Sequence, residues 1–185
     1  MSFRLTYATM FNPPEEMHER FEKALAKMRG QLGKTHPMYV DGKDVPAAAT
    51  EERASPIDND IKTGRFPHAN EKEVDAAIAA AERAFAGWRD AGAAKRVALM
   101  RKVARILEER VYDIAAALVL EVGKNRLEAL GEAQECVDFF DVYARGKVAG
   151  GHVRDSSCRS CCEFVNLLRN CFSACRPSRG SDRGE

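Results

Sequence analysis

Five apolar residues, Val74, Ile78, Ala81, Phe85 and Trp88, recur at intervals of four, three, four and three. That spacing gathers all of them on one side of an α-helix and lacks the strict alternation of a half-buried strand. Asn70 stands just ahead of the run with Glu73 three positions on, the pairing of a capping box, and Gly92 follows as a stop. A helix is therefore expected from Asn70 to Gly92, with a stripe that must find something to cover it.

The neighbouring segments read as further helices with a few short strands. Asn12-Pro13-Pro14-Glu15 looks like a helix opening, with Asn12 as cap and Pro13 at the first helical position. Met17, Phe21, Leu25 and Met28 then form a stripe that ends at Gly30 and Gly33. Met38-Tyr39-Val40, Asp41-Gly42 and Lys43-Asp44-Val45 spell a hairpin, because Asp-Gly accepts the positive φ angles of a type I′ turn. Residues 47–59 read as a connector or edge strand leading to an extended piece at 61–66. Beyond Gly92, Leu99, Val103, Ile106 and Leu107 define a second helix, which continues or bends near Arg110 through Ile114, Leu118 and Val122 to Gly123. A third follows Lys124 with Leu127, Leu130, Val137, Phe140 and Ala144, interrupted by Gly131, a glycine expected to serve close packing.

Cysteine usage splits the 185 residues in two: Cys136 stands alone in the first 145, while Cys158, Cys161, Cys162, Cys171 and Cys175 crowd the remainder. We divide the chain accordingly into a body, 1–145, and a Cys/Arg/Ser-rich tail, 146–185, with too little apolar periodicity to bury a core. The tail is expected to be irregular. A formal net charge of +1 supplies no field that would attract nucleic acid or an anionic membrane. No apolar run approaches the about 20 residues needed to span a bilayer, and the first residues show no secretory signal pattern, so a cytoplasmic protein is expected.

Several segments carry a family resemblance. Ser55-Pro56-Ile57-Asp58 is followed by Val74-Asp-Ala-Ala-Ile-Ala-Ala-Ala-Glu-Arg-Ala-Phe-Ala-Gly-Trp88-Arg89, then Lys95-Arg96, then Ala104-Arg105-Ile106-Leu107-Glu108-Glu109-Arg110. Glu121-Val122-Gly123-Lys124, Glu128-Ala129 and Gly131-Glu132 complete the series, which resembles the opening of the aldehyde dehydrogenase superfamily over about residues 6–145. The leading helix and the His36–Lys43 hairpin are most similar to the branch that oxidises L-glutamate γ-semialdehyde, the open form of 1-pyrroline-5-carboxylate, in proline breakdown. The resemblance implies an α/β parent fold, NAD(P) as the full-length relatives' cofactor, and homo-oligomeric full-length relatives. The portion present is expected to be mostly α-helical.

The chemistry of that family asks for a nucleophilic Cys, an amide donor for the oxyanion, a Glu that activates water and a nicotinamide that takes the hydride. In the family pattern all of these lie beyond Arg145, where 146–185 matches nothing recognisable; we expect a truncated, inactive enzyme whose tail is out of frame. No catalytic, cofactor-binding or metal residue is assigned. Cys136 reads as a buried structural thiol, the glycine of Glu121-Val122-Gly123-Lys124 as a helix stop, and His18, His36 and His68 as surface or turn residues. Two alternatives stay open. The chain is a non-catalytic helical module that self-associates through exposed apolar helix faces, or Cys158, Cys161, Cys171 and Cys175 hold zinc on a helical body.

Overall fold

The computed structural model describes residues 12–148, with side chains through 145. The order is α1 (Glu15–Arg29), β1 (Met38–Val40), β2 (Lys43–Val45), β3 (Ala49–Ala54), β4 (Lys62–His68), α2 (Glu71–Asp90), α3 (Gly92–Glu109), α4 (Val111–Val122) and α5 (Arg126–Val148). The tail cysteines and the zinc reading that rests on them lie outside the described residues.

α1 does not start where Asn12 and Pro13 suggest. Pro14 is the cap residue in extended backbone (φ −69°, ψ 152°), and no side chain caps the helix. The second proline explains the delay, because a residue that precedes proline is pushed out of the α region, so Pro13 cannot open the first turn. Met17, Phe21, Ala24 and Met28 then form the buried face of α1, which packs against α4. Lys27 closes that contact with an ion pair to Asp113, 2.5 Å.

α4 is the centre of the bundle: Val111, Ile114, Ala115, Ala116, Ala117 and Leu120 are all buried. It begins after Arg110, whose φ of −113° breaks the helical path from α3, and it ends on Gly123, whose φ of +77° makes it a left-handed cap. α5 packs along both α3 and α4 and buries Ala129, Leu130, Ala133, Val137 and Ala144. A methyl group at Gly131 would meet no atom within 4 Å, so close packing does not require that glycine.

The strands form two separate antiparallel hairpins. β1 pairs with β2 across Asp41 (φ +53°) and Gly42 (φ +76°), as the Asp-Gly turn requires. β3 pairs with β4 in register from Ala49–His68 to Arg53–Gly64, then slips at a bulge before Ala54–Lys62. Residues 47–59 thus contain a full strand. The segment after α1 adds to the free edge of β4: the amide N–H of His36 donates to the carbonyl of Arg65 (2.9 Å), and that of Arg65 donates to Lys34 (2.9 Å).

The largest departure from expectation is α2. Its capping box is present, Asn70 accepting from the Glu73 amide and Glu73 from the Asn70 amide. Its apolar stripe nevertheless faces solvent, with Val74 46%, Ile78 53%, Phe85 48% and Trp88 41% exposed, and Ala80 is the helix's only buried residue. α3 likewise buries Val97, Ala104 and Leu107 rather than Leu99 and Ile106. The stripes of α1 and α5 are covered among the described residues, whereas that of α2 is open.

Burial separates two leucines of α3 for a direct test. Leu107 is 0% exposed and Leu99 is 45% exposed. Urea unfolding of Leu107→Ala is expected to lose about 3–5 kcal/mol of stability, and Leu99→Ala less than about 1 kcal/mol.

Candidate functional site

Two of the sequence segments singled out above, Ser55–Asp58 and Glu121–Lys124, meet at the C-terminal end of α4. Gly123 turns the chain there, and a Cβ in its place would stand 3.2 Å from Cγ of Pro56. The loop it presses on is held from within: the Ser55 amide donates to the Ile61 carbonyl (2.8 Å), and the Ile57 amide donates to Oγ of the fully buried Ser55 (3.3 Å). Thr63 donates its hydroxyl to the Arg53 carbonyl, 3.0 Å, at the bulge of the same hairpin.

A shallow depression opens beside this junction, lined by Met28, Gln31, Leu32, His36, Thr63, Ala117, Leu120 and Glu121. It has room for about one water. Burial pushes the Glu121 carboxyl up to about 7, while Arg53 pulls it the other way. His36 is displaced in the opposite sense, its pKa lowered first by burial and then by Lys34. Both groups are therefore favoured in their neutral forms, which is the expected response of titratable side chains to a poorly solvated pocket.

His36 is not the turn residue expected of it. It is 8% exposed, and its ring stacks on Phe66 at 5.0 Å between centroids. Gly64 makes room, since a Cβ there would stand 3.1 Å from the imidazole. His18 is also engaged, with Nδ1 at 2.8 Å from the Arg126 guanidinium, which pairs with Glu22 and lies over the Phe21 ring at 4.6 Å. His68 pairs with Glu51 at 3.1 Å in the open, in keeping with a surface role.

Cys136 is half-buried against the core formed by α1, α3, α4 and α5. Burial, with Glu135 second, pushes its thiol up, the direction that suppresses the thiolate. Among the described residues no group of three or more His, Cys, Asp and Glu is arranged to hold a metal, and no helix is long and apolar enough to cross a membrane.

Glu121 escaped the sequence reading, which took its segment only as a helix stop. A signal was present: Ile114, Ala117 and Glu121 follow one another at three and four, so the carboxylate lies on the stripe that α4 buries.

Residues 45–157 match the family model described as the aldehyde dehydrogenase family. The chain belongs to that family. Among curated proteins, this aldehyde dehydrogenase family member is 33% identical over 131 residues to the 1-pyrroline-5-carboxylate dehydrogenase of Staphylococcus haemolyticus, covering 71% of this chain and 26% of the relative. It is 35% identical over 127 residues to 1-pyrroline-5-carboxylate dehydrogenase 2 of Bacillus subtilis, covering 69% and 25%. The solved 1-pyrroline-5-carboxylate dehydrogenase from Thermus with bound NAD superposes with a TM-score of 0.71 at 32% identity, over 78% of this chain and 28% of that one. The chain thus spans about a quarter of the length of the curated relatives it matches. Its two hairpins and helices share the fold of the corresponding part of these dehydrogenases.

The junction makes a pH-dependent prediction. Glu121 holds its proton in the folded chain up to about 7 and in the unfolded chain only to the ordinary 4.5, so the folded state binds more protons between those values. Its contribution to stability is expected to be fully present below pH 4.5 and lost as pH rises through about 7. Urea unfolding of the wild type and Glu121→Gln across that window isolates the effect from His36: the stability difference between them should shift in favour of Gln as pH rises. A difference that stays flat would show that Glu121 ionises normally.

Proposed function

We propose that these residues form the N-terminal portion of an NAD(P)-dependent aldehyde dehydrogenase that oxidises L-glutamate γ-semialdehyde to glutamate in proline catabolism. The observation that carries this reading is the match to 1-pyrroline-5-carboxylate dehydrogenases over 71% of the chain, supported by the superposition on the NAD-bound Thermus enzyme. A protein built for this reaction is expected in the cytoplasm, where NAD(P) is available.

The role of the described residues in that reading is architectural. A dinucleotide is bound across the carboxyl ends of parallel strands, and the described strands are two separate antiparallel hairpins, with a depression of about one water's size at their junction with α4. These residues do not fit NAD(P). Nor does Cys136 suit the attack on an aldehyde carbon, since a half-buried thiol with a raised pKa supplies little thiolate. We therefore infer that the 185-residue polypeptide by itself neither binds NAD(P) nor turns over the aldehyde.

A second reading is favoured by α2. Its apolar stripe is open in the folded chain, and such a face promotes association, so the polypeptide also acts as a helical interaction module that binds its own copies.

Purified polypeptide given NAD and γ-semialdehyde is expected to produce NADH at the rate of the protein-free control and to give no heat of NAD binding. NADH formation above that control, abolished by Cys136→Ser, would overturn the architectural role.

A further inference from the structure

The turn between β1 and β2 holds Asp41-Gly42, the only place in the sequence where aspartate precedes glycine; every other aspartate and every asparagine is followed by a residue with a side chain. That dipeptide carries a reaction of its own. The amide nitrogen that follows an aspartate can close a five-membered ring onto the side-chain carbonyl carbon, and a glycine nitrogen, with no Cβ beside it, is the least obstructed such nucleophile. At other aspartates the following amide is occupied: Ile61 after Asp60 donates to the Asp58 carbonyl (3.0 Å), and Ile114 after Asp113 donates to that of Arg110 (2.9 Å). The β1–β2 ladder closes at Val40 and Lys43, which leaves the Gly42 amide outside its pairing.

The turn is also lightly held. β1 and β2 have three residues each, so few rungs keep it closed. Asp41 has φ +53°, a left-handed conformation that a residue with a Cβ adopts rarely. Its carboxyl is engaged by α2, where Nη2 of Arg83 donates to Oδ2 of Asp41 at 3.3 Å. While that pair lasts the carboxyl is committed to α2, and attack on it requires the pair to part. The same pair ties α2 to the hairpin, so the fate of one side chain bears on both elements.

We propose that Asp41 is a self-modification site: the Gly42 nitrogen closes a succinimide on Asp41, and water opens the ring to leave isoaspartate at 41, freeing α2 from the hairpin. In the first step the bond from the Gly42 nitrogen to Cγ of Asp41 forms as a Cγ–O bond breaks, and the amide proton and the carboxyl hydroxyl leave as water. In the second, water adds to the main-chain carbonyl carbon of Asp41 and breaks its bond to the Gly42 nitrogen, so the chain now runs through Cγ. Addition at Cγ instead restores aspartate. Nothing is oxidised or reduced, and water is the only co-reactant. The product has a main chain one carbon longer at the turn and carries its free carboxylate on Cα. The two-residue geometry of the turn and the pairing with Arg83 are therefore lost together.

The test is to incubate the full 185-residue chain near neutral pH in heavy-oxygen water, then unfold it, digest it and read the peptides by mass spectrometry and isoaspartate-specific methylation. Isoaspartate carrying one heavy oxygen should accumulate at 41 in the folded chain. Arg83→Gln, shown to be folded by circular dichroism, should form it about two- to fivefold faster, the weight of an exposed ion pair. Asp41→Glu, whose ring would need six members, should form no such product there. Hydrogen exchange of the purified modified chain should be faster than that of the unmodified chain in α2 and the same in α4. Absence of isoaspartate at 41 from the folded chain would overturn the site, whether or not the urea-unfolded chain forms it. An unchanged rate in Arg83→Gln would overturn the part given to the ion pair, and unchanged exchange in α2 would overturn the release of that helix.

Discussion

Three consecutive alanines, Ala115, Ala116 and Ala117, are buried to 0%, 0% and 2% exposure, and the rest of the helical body is arranged around them. Successive residues on a helix point in different directions, so burial of all three means that α4 is enclosed on several sides at once. Side chains of one carbon let neighbouring helices approach closely and leave the larger residues to interdigitate, Met17, Phe21, Leu107 and Leu130 in the cluster of Ala115, and Met28 and Leu120 in that of Ala116 and Ala117. Any bulkier residue at these positions would push α1 or α5 outward, and with α1 would go the segment that seats His36 against β4.

The junction at the end of α4 inherits its position from that packing. Glu121 extends the buried face of the helix by one turn past Ala117 and so carries its carboxyl into a poorly solvated corner. Gly123 then lets the chain leave in a left-handed turn against Pro56. Two segments distant in sequence come together there, where a side chain at 123 would crowd the Pro56 ring. This places two family-like segments together at the C-terminal end of α4.

Local chemistry was legible wherever a residue acts on its near neighbours. The Asn70–Glu73 capping box, the Asp41-Gly42 turn and the stop at Gly123 all follow from backbone geometry within a few residues. The Asn12 cap failed because a restriction of equal range, that of Pro14 on Pro13, acts against it. What could not be read was the direction in which an amphipathic helix faces. Val74 to Trp88 and Met17 to Met28 carry equally clear periodicity, yet one stripe is open and the other closed, because periodicity fixes which residues share a face and the tertiary partners decide whether that face is covered. The burial of His36 was hidden for a similar reason: it depends on the glycine at 64 and the ring at 66, in another strand.

The thin attachment of α2 has a consequence for how the chain opens. A helix that buries one residue and is bounded by Gly92, at φ +78°, shares little burial with the α3–α5 bundle, and in proteins most helical stability comes from packing of an amphipathic face. Its amides can therefore exchange hydrogen through excursions that leave α4 closed, and a protease can enter near Gly92 without waiting for global unfolding. Among the described residues α2 is thus expected to open at a lower free energy than the alanine-lined bundle, by an amount set by whatever comes to rest on its stripe.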